Sequence, residues 1–235
     1  FNVVQKQQST RIEDIVIDGG GVSIKGSLEV DQNGDLINVN FPTYSPSDGD
    51  KASLKAERGP DGALKVTMRG EVFDGRGFLK SVISGKQADA KGKTKSIDFD
   101  VDLKLGAVAG FNGEAVRSVD AKLSRRNGAI RSFSLSGKLG RDTPLTADLR
   151  GRTQGREVIY LETNDAGAFL RFTDTYSQVV GGQLSLAMDP PIAEPGAREG
   201  LVNVRDFSVK GEAALERAAA GGPGGAQSSV SFSRL

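Results

Sequence analysis

Apolar and polar positions alternate along most of this chain. In Ile97-Asp98-Phe99-Asp100-Val101-Asp102-Leu103-Lys104-Leu105 every odd position is apolar and every even one is charged. Successive side chains of a strand point to opposite faces, so this run predicts a strand with one buried face and one facing water. The pattern recurs at Val22/Ile24/Leu28/Val30, with Gly26 on the same face, and at Leu64/Val66/Met68 and Val119/Ala121/Leu123. It returns at Phe133/Leu135, Leu145/Ala147/Leu149, Leu184/Leu186/Met188 and Val202/Val204. Asn33-Gly34, Asp61-Gly62, Asn127-Gly128 and Gln154-Gly155 lie between the runs. Asn-Gly and Asp-Gly tolerate the positive φ of tight hairpin turns. Consecutive strands joined by short turns predict antiparallel meanders, because a doubly wound parallel sheet needs long helical crossovers.

Helical spacing is confined to three short places. Between Gly77 and Ser84, the residues Phe78, Leu79, Val82 and Ile83 share a stripe, with Asp74 as a cap and Gly85 as a stop. Between Ala166 and Val180, Phe169, Phe172, Tyr176 and Val180 fall on one face, with Asp165 as the cap and Gly181-Gly182 as the end. The third is the Ala-rich stretch Glu212 to Ala220, with Leu215 inward. The face of Phe169, Phe172 and Tyr176 reads either as a core-facing stripe or as a helix at the mouth of a trough.

The order of turns and helices suggests an internal repeat. Asn33-Gly34, Asp61-Gly62 and the Phe78 helix are matched by Asn127-Gly128, Gln154-Gly155 and the Phe169 helix, at offsets of 94, 93 and 91 residues. The expected organisation is a first β-meander unit over 1–85, a polar linker over 86–95, a second unit over 96–182, and C-terminal strands with a short helix over 183–235. Similar units stacked edge to edge extend one sheet.

A sheet with one apolar face must cover it. The helices here are too few and too short to cover about a dozen strands. Either the sheet closes into a sandwich or barrel, or it curls into an open trough whose cover is a ligand or partner. A dozen strands at ~4.8 Å spacing would make a sheet about 58 Å long, with seven-residue strands about 23 Å across. Such a trough suits acyl chains. The residues expected to line it are Ile97, Phe99, Val101, Leu103, Leu105, Val119, Leu123, Phe133, Leu135, Leu184, Leu186, Met188, Val202 and Val204.

Composition narrows the chemistry. Among 235 residues there is no Cys, His or Trp, and the formal charge is +1. Thiolate and imidazole metal sites, Cys–His pairs and Ser–His–Asp triads are therefore excluded. The apolar face carries no convergent polar groups of the kind a specific pocket or a catalytic centre needs. The expectation is a protein that is not an enzyme, with no metal and no cofactor. Asp98, Asp100 and Asp102 share the polar face of a strand and read as a solvated row rather than a calcium site. Asp31-Gln32-Asn33-Gly34-Asp35 reads as a turn, and Gly19-Gly20-Gly21 lacks the Lys-Ser/Thr of a phosphate loop. The basic cluster Lys86 to Lys95 contains no aromatic to stack on bases, so nucleic acid is not an expected partner. No window approaches the roughly 20 apolar residues of a membrane-spanning helix. The start at Phe1, with neither signal peptide nor anchor, reads as a soluble segment of something longer.

The stretch Asp165 to Ala220 adds a resemblance. A short helix runs into Gly181-Gly182-Gln183-Leu184-Ser185-Leu186, followed by Gly200-Leu201-Val202-Asn203-Val204-Arg205-Asp206-Phe207-Ser208-Val209 and a helix at Glu212-Ala213-Ala214-Leu215-Glu216-Arg217. This resembles the C-terminal region of the large AsmA-like proteins of Gram-negative bacteria. Gly70-Glu71-Val72-Phe73-Asp74 matches the family in style more than in motif. The resemblance implies a periplasmic segment of a protein anchored in the inner membrane, and a long taco-shaped β groove that conducts phospholipid toward the outer membrane. Its partners would be phospholipid, neighbouring segments of the parent chain, and inner- or outer-membrane envelope proteins. The rival expectation is a closed β-sandwich or barrel acting as an envelope interaction or assembly module, with an edge strand such as the one ending at Leu235 pairing with a partner.

Overall fold

The computed structural model describes residues 1–84, 97–151, 157–190, 199–212 and 229–234. Fourteen strands and two helices follow one another: β1 (Asn2–Gln5), β2 (Ser9–Gly19), β3 (Val22–Asp31), β4 (Leu36–Ser45), β5 (Lys51–Arg58), β6 (Leu64–Asp74), α1 (Arg76–Ser84) and β7 (Phe99–Ala109). Then come β8 (Ala115–Arg126), β9 (Ala129–Leu139), β10 (Thr143–Gly151), β11 (Glu157–Thr163), α2 (Ala166–Phe172), β12 (Val179–Met188), β13 (Gly200–Lys210) and β14 (Ser229–Arg234). The polar linker over 86–95, the turn at Gln154-Gly155 and the Ala-rich helix from Ala213 onward lie outside the described residues, as does Leu235.

All fourteen strands form one open, curved sheet in sequence order, β1 to β14, with β1 and β14 as its edges. The closed sandwich or barrel is thereby corrected, since the two edge strands do not meet. The predicted turns close the hairpins for the predicted reason. Asn127 and Gly128 both adopt positive φ, 51° and 77°, between β8 and β9, as do Gly34 and Gly62 in theirs.

One pairing departs from the antiparallel rule. β6 and β7 run parallel, from Leu64 opposite Phe99 to Asp74 opposite Ala109. The sheet is thus continuous across the boundary between the two sequence units. The helix is the device that permits this junction, because a parallel neighbour cannot follow a tight turn. β-Bulges punctuate the antiparallel ladders, between Ile12 and Ile15 on β2 and between Arg117 and Asp120 on β8. Asp14 and Ser118 sit in these bulges at φ 50° and 51°. Such insertions bend a strand and increase its twist.

Both helices lie at the same ends of the strands. α1 begins where β6 ends, and α2 spans the step from β11 to β12. Asp165 caps α2 by accepting from the Ala168 N–H at 2.9 Å. The helix stops at Phe172, shorter than its apolar spacing suggests. Thr173 turns its hydroxyl back onto the Phe169 and Leu170 carbonyls, and Asp174 enters positive φ at 57°. Two expectations are corrected by this early stop. Tyr176 is not on the helix; its hydroxyl donates to Glu212 Oε1 at 2.9 Å. Gly181 and Gly182 do not end a helix but lie inside β12, so the expected boundary at 182/183 falls within a strand. Among the described residues no helix is long and apolar enough to cross a membrane.

Candidate functional site: the apolar face of the sheet

Registry places the predicted apolar residues in rows that cross many strands. Leu103 of β7 faces Met68 of β6 on one side and Ala121 of β8 on the other. The row runs on through Leu135, Ala147, Leu161, Leu186 and Val202 to β13. In the other direction Met68 faces Leu54, and Leu54 faces Phe41 of β4. A second row joins Val3, Ile12, Leu28, Val39, Ala56, Val66, Val101, Leu123 and Phe133. Leu105 pairs with Val119, and Leu184 with Val204, nearer the helical rim. Met188 closes β12 at the opposite rim, facing Ile159. Ile97 precedes β7 and stands exposed outside the rows.

The helical rim is the best-sealed part of this face. Leu105, Val116, Val119, Leu139, Leu145, Ala168 and Phe172 form one buried cluster. α2 lies against the β7–β8 turn, where the Phe111 N–H donates to the Phe172 carbonyl at 3.0 Å and Arg171 Nε donates to Glu114 Oε1 at 2.8 Å. The Phe172 ring approaches Gly110 so closely that a Cβ there would lie 2.2 Å from it. Phe172 is therefore core, and Phe169 packs half-buried beside both apolar clusters. A second cluster, Ala166, Val179, Leu184, Val204, Phe207 and Val209, continues the seal to β13, where Phe232 of β14 stacks on Phe207.

Away from this rim burial is uneven: Val39, Ala56, Met68 and Ala147 are buried within the rows. Phe99, Val101, Leu103, Leu123, Phe133, Leu135, Leu186 and Met188 are only half-buried, although they are flanked by apolar neighbours. At the two ends of the rows Val3 and Val202 remain 58% and 54% exposed. At the rim opposite the helices the Arg125 guanidinium lies 5.8 Å from the Phe99 ring centroid, a cation at the margin of an apolar surface.

The other face is polar and largely pairs with itself. Arg69 meets Asp102 at 2.8 Å, Lys104 meets Asp120 at 2.9 Å, and Arg126 meets Asp100 at 2.7 Å. The Arg126 guanidinium that hydrogen-bonds Asp100 holds its carboxyl below the usual range, with Ser124 adding to the effect. Lys104 does the same for Asp120. The acidic row on β7 is thus engaged by cations across the sheet. Among the described residues no three carboxylates converge as a metal site would require. Clefts open on this polar face, over β10 to β13.

Sequence reading missed parts of the rows. Leu161 belongs in the centre, but Glu157–Thr163 has apolar residues on both faces, with Val158 and Tyr160 on the side opposite Ile159 and Leu161. Phe41 and Tyr44 both join the face because the register shifts between them. A strict period of two places them on opposite sides. Leu54, Met68, Leu145 and Ala147 are visible in the alternation and are added to the face by registry.

Comparison with protein-family models, with curated proteins and with solved structures gives no match.

Proposed function

We propose that this chain is a segment of a lipid-conducting groove, in which the apolar face passively shields phospholipid acyl chains while head groups stay at the open rim. The observation that carries the reading is the set of apolar rows crossing up to ten strands, most of whose larger side chains stay only half-buried. Such a surface is costly to leave in water, at roughly 25 cal/mol per Å² of apolar area. A continuous, unpartnered strip of this kind marks an interaction surface. Its lack of placed polar groups suits fluid hydrocarbon chains better than a ligand of fixed shape. Arg125 over Phe99 puts a cation where an anionic head group would lie if the tails occupied the rows.

The same reading places the segment in the periplasm, as part of an inner-membrane-anchored AsmA-like protein, with neighbouring segments of the parent chain extending the groove. Fourteen strands at ~4.8 Å give about 62 Å along the sheet, too little to bridge two membranes alone. No chemical step is required of the protein, so the reading is of a conduit and not an enzyme. A second reading is favoured by β1, whose four residues are all exposed. That edge could take a strand from an envelope protein and serve assembly instead.

Native mass spectrometry of the purified chain, followed by organic extraction, tests the proposal. Phospholipid bound at reproducible stoichiometry, and lost on polar substitution at Leu103 or Leu135, supports the groove. A stable, monodisperse protein that carries no lipid and takes none from vesicles refutes it.

A further inference from the structure

The polar face changes character between β10 and β13. On β6 to β8 its side chains neutralise one another in ion pairs. Over β10 to β13 a cleft of about 470 Å³ opens instead, lined by Thr146, Tyr160, Glu162, Gln183, Asn203 and Arg205 among others. Registry sets these groups on a grid: Thr146 faces Glu162 across β10 and β11, Ser185 links Glu162 to Asn203, and Gln183 faces Arg205. Asn203 Oδ1 is shut off from solvent and has no hydrogen-bond partner.

The lining has a distinct chemistry. Three amides and four hydroxyls both donate and accept, one carboxylate only accepts, and one guanidinium only donates. A ligand matching this set must offer several groups that do both, as sugar hydroxyls do. The cleft continues along the strands into a second space that shares Tyr160, Ser185 and Asn203 and is bounded by Val158, Ala187 and Leu201. Leu201 is 65% exposed there. The Tyr160 ring, with the Arg150 guanidinium 3.8 Å from its centroid, stands between the polar and apolar halves.

We propose that this cleft is a carbohydrate-binding site for an N-acetylated sugar, whose hydroxyls and acetamido group meet Gln183, Asn203, Glu162 and Arg205 while its methyl group rests on Ala187 and Leu201. The volume lies within the range of small-molecule sites. The site is on the face opposite the apolar rows, so it stands or falls independently of the lipid reading.

The test is a two-dimensional amide NMR titration of the whole chain with N,N′-diacetylchitobiose, with cellobiose as the partner lacking acetamido groups. The expected result is saturable shifts confined to β10–β13, with diacetylchitobiose binding more tightly. Asn203→Leu and Gln183→Leu should each weaken binding about tenfold, as the loss of one hydrogen bond implies. Their remaining spectra should overlay the wild type. Should Asn203→Leu disturb the fold, Leu201→Ser tests the methyl contact and should erase the preference for the acetylated sugar. No saturable shift with either sugar at about 20 mM overturns the proposal. So does binding that ignores these substitutions, or shifts reproduced by inorganic phosphate alone, which would make Arg205 a simple anion contact.

Discussion

Consider Leu103 replaced by aspartate. Leu103 lies mid-strand on β7 between Met68 and Ala121 and is half-buried on the apolar face. In a sealed core an unpaired carboxylate costs about 3–5 kcal/mol. That is a large share of the stability of an ordinary domain, about 5–15 kcal/mol. On an uncovered face the carboxylate keeps water, and the loss is the packing of one partly buried leucine, about 1–2 kcal/mol. For a chain of this size that lowers Tm by about 2–8 °C. Leu139, which is fully buried at the helical rim, supplies the contrast within the same sheet. Leu139→Asp should abolish cooperative unfolding at room temperature. Bound lipid should respond differently. A charge on the floor displaces two or three methylenes at about 0.8 kcal/mol each, a loss of ~2 kcal/mol or about thirtyfold in affinity. Thermal melts by circular dichroism and native mass spectrometry of the lipid-loaded protein read the two quantities separately. The reasoning is refuted if Leu103→Asp unfolds the chain as Leu139→Asp does, or if it stays folded and retains its phospholipid.

Three further outcomes follow from local geometry. Gly26 on β3 has φ +148°, and a Cβ there would lie 2.0 Å from the Asn40 carbonyl, so Gly26→Ala should cost about 2 kcal/mol or more in urea denaturation. Asp165→Ala removes the cap of a helix only two turns long and should cost about 1 kcal/mol, with Asp165→Asn recovering most of it. Acid should weaken the fold, because Asp74, Asp100 and Asp120 all have folded carboxyls held below their ordinary range by Arg76, Arg126 and Lys104. Their contribution is present above the unfolded value of about 4 and is lost as pH falls through the lower folded values. Asp100→Asn should flatten part of that acid limb in a pH series of urea midpoints. The expected share is below about 0.5 kcal/mol, since the pair is more than a quarter exposed on both sides.

The strands were legible because one face of each had to be apolar, and a period of two has no other cheap explanation. Ile97 to Leu105 declared β7 and its orientation outright, and Asn127-Gly128 declared the turn that follows β8. The parallel step from β6 to β7 was not legible, because strand pattern specifies a face and not a direction. The short reach of α2 was hidden for a related reason. Tyr176 stands at helical spacing from Phe172, but the hydroxyl of Thr173 and the left-handed Asp174 end the helix between them. For the candidate site, the apolar face was readable strand by strand while the rows were not. Rows depend on registry and bulges, as Phe41 and Tyr44 demonstrate. The cleft over β10 to β13 gave no signal at all, since Thr146, Glu162, Gln183 and Asn203 look like any solvated residues until the sheet sets them side by side.

Sequential strand order has a consequence for how the molecule is made. Each strand pairs only with its neighbours in the chain, so no strand waits for a distant partner strand to be synthesised. Loop-closure entropy is met in small instalments, and the sheet can grow by one strand at a time on whatever is already formed. A growing chain can therefore fold as it is made. Trimming strands from either edge should leave the remainder intact. The β6–β7 step demands the longest wait of any strand pairing, because the chain must finish α1 before β7 can dock, and a pause in growth should fall there.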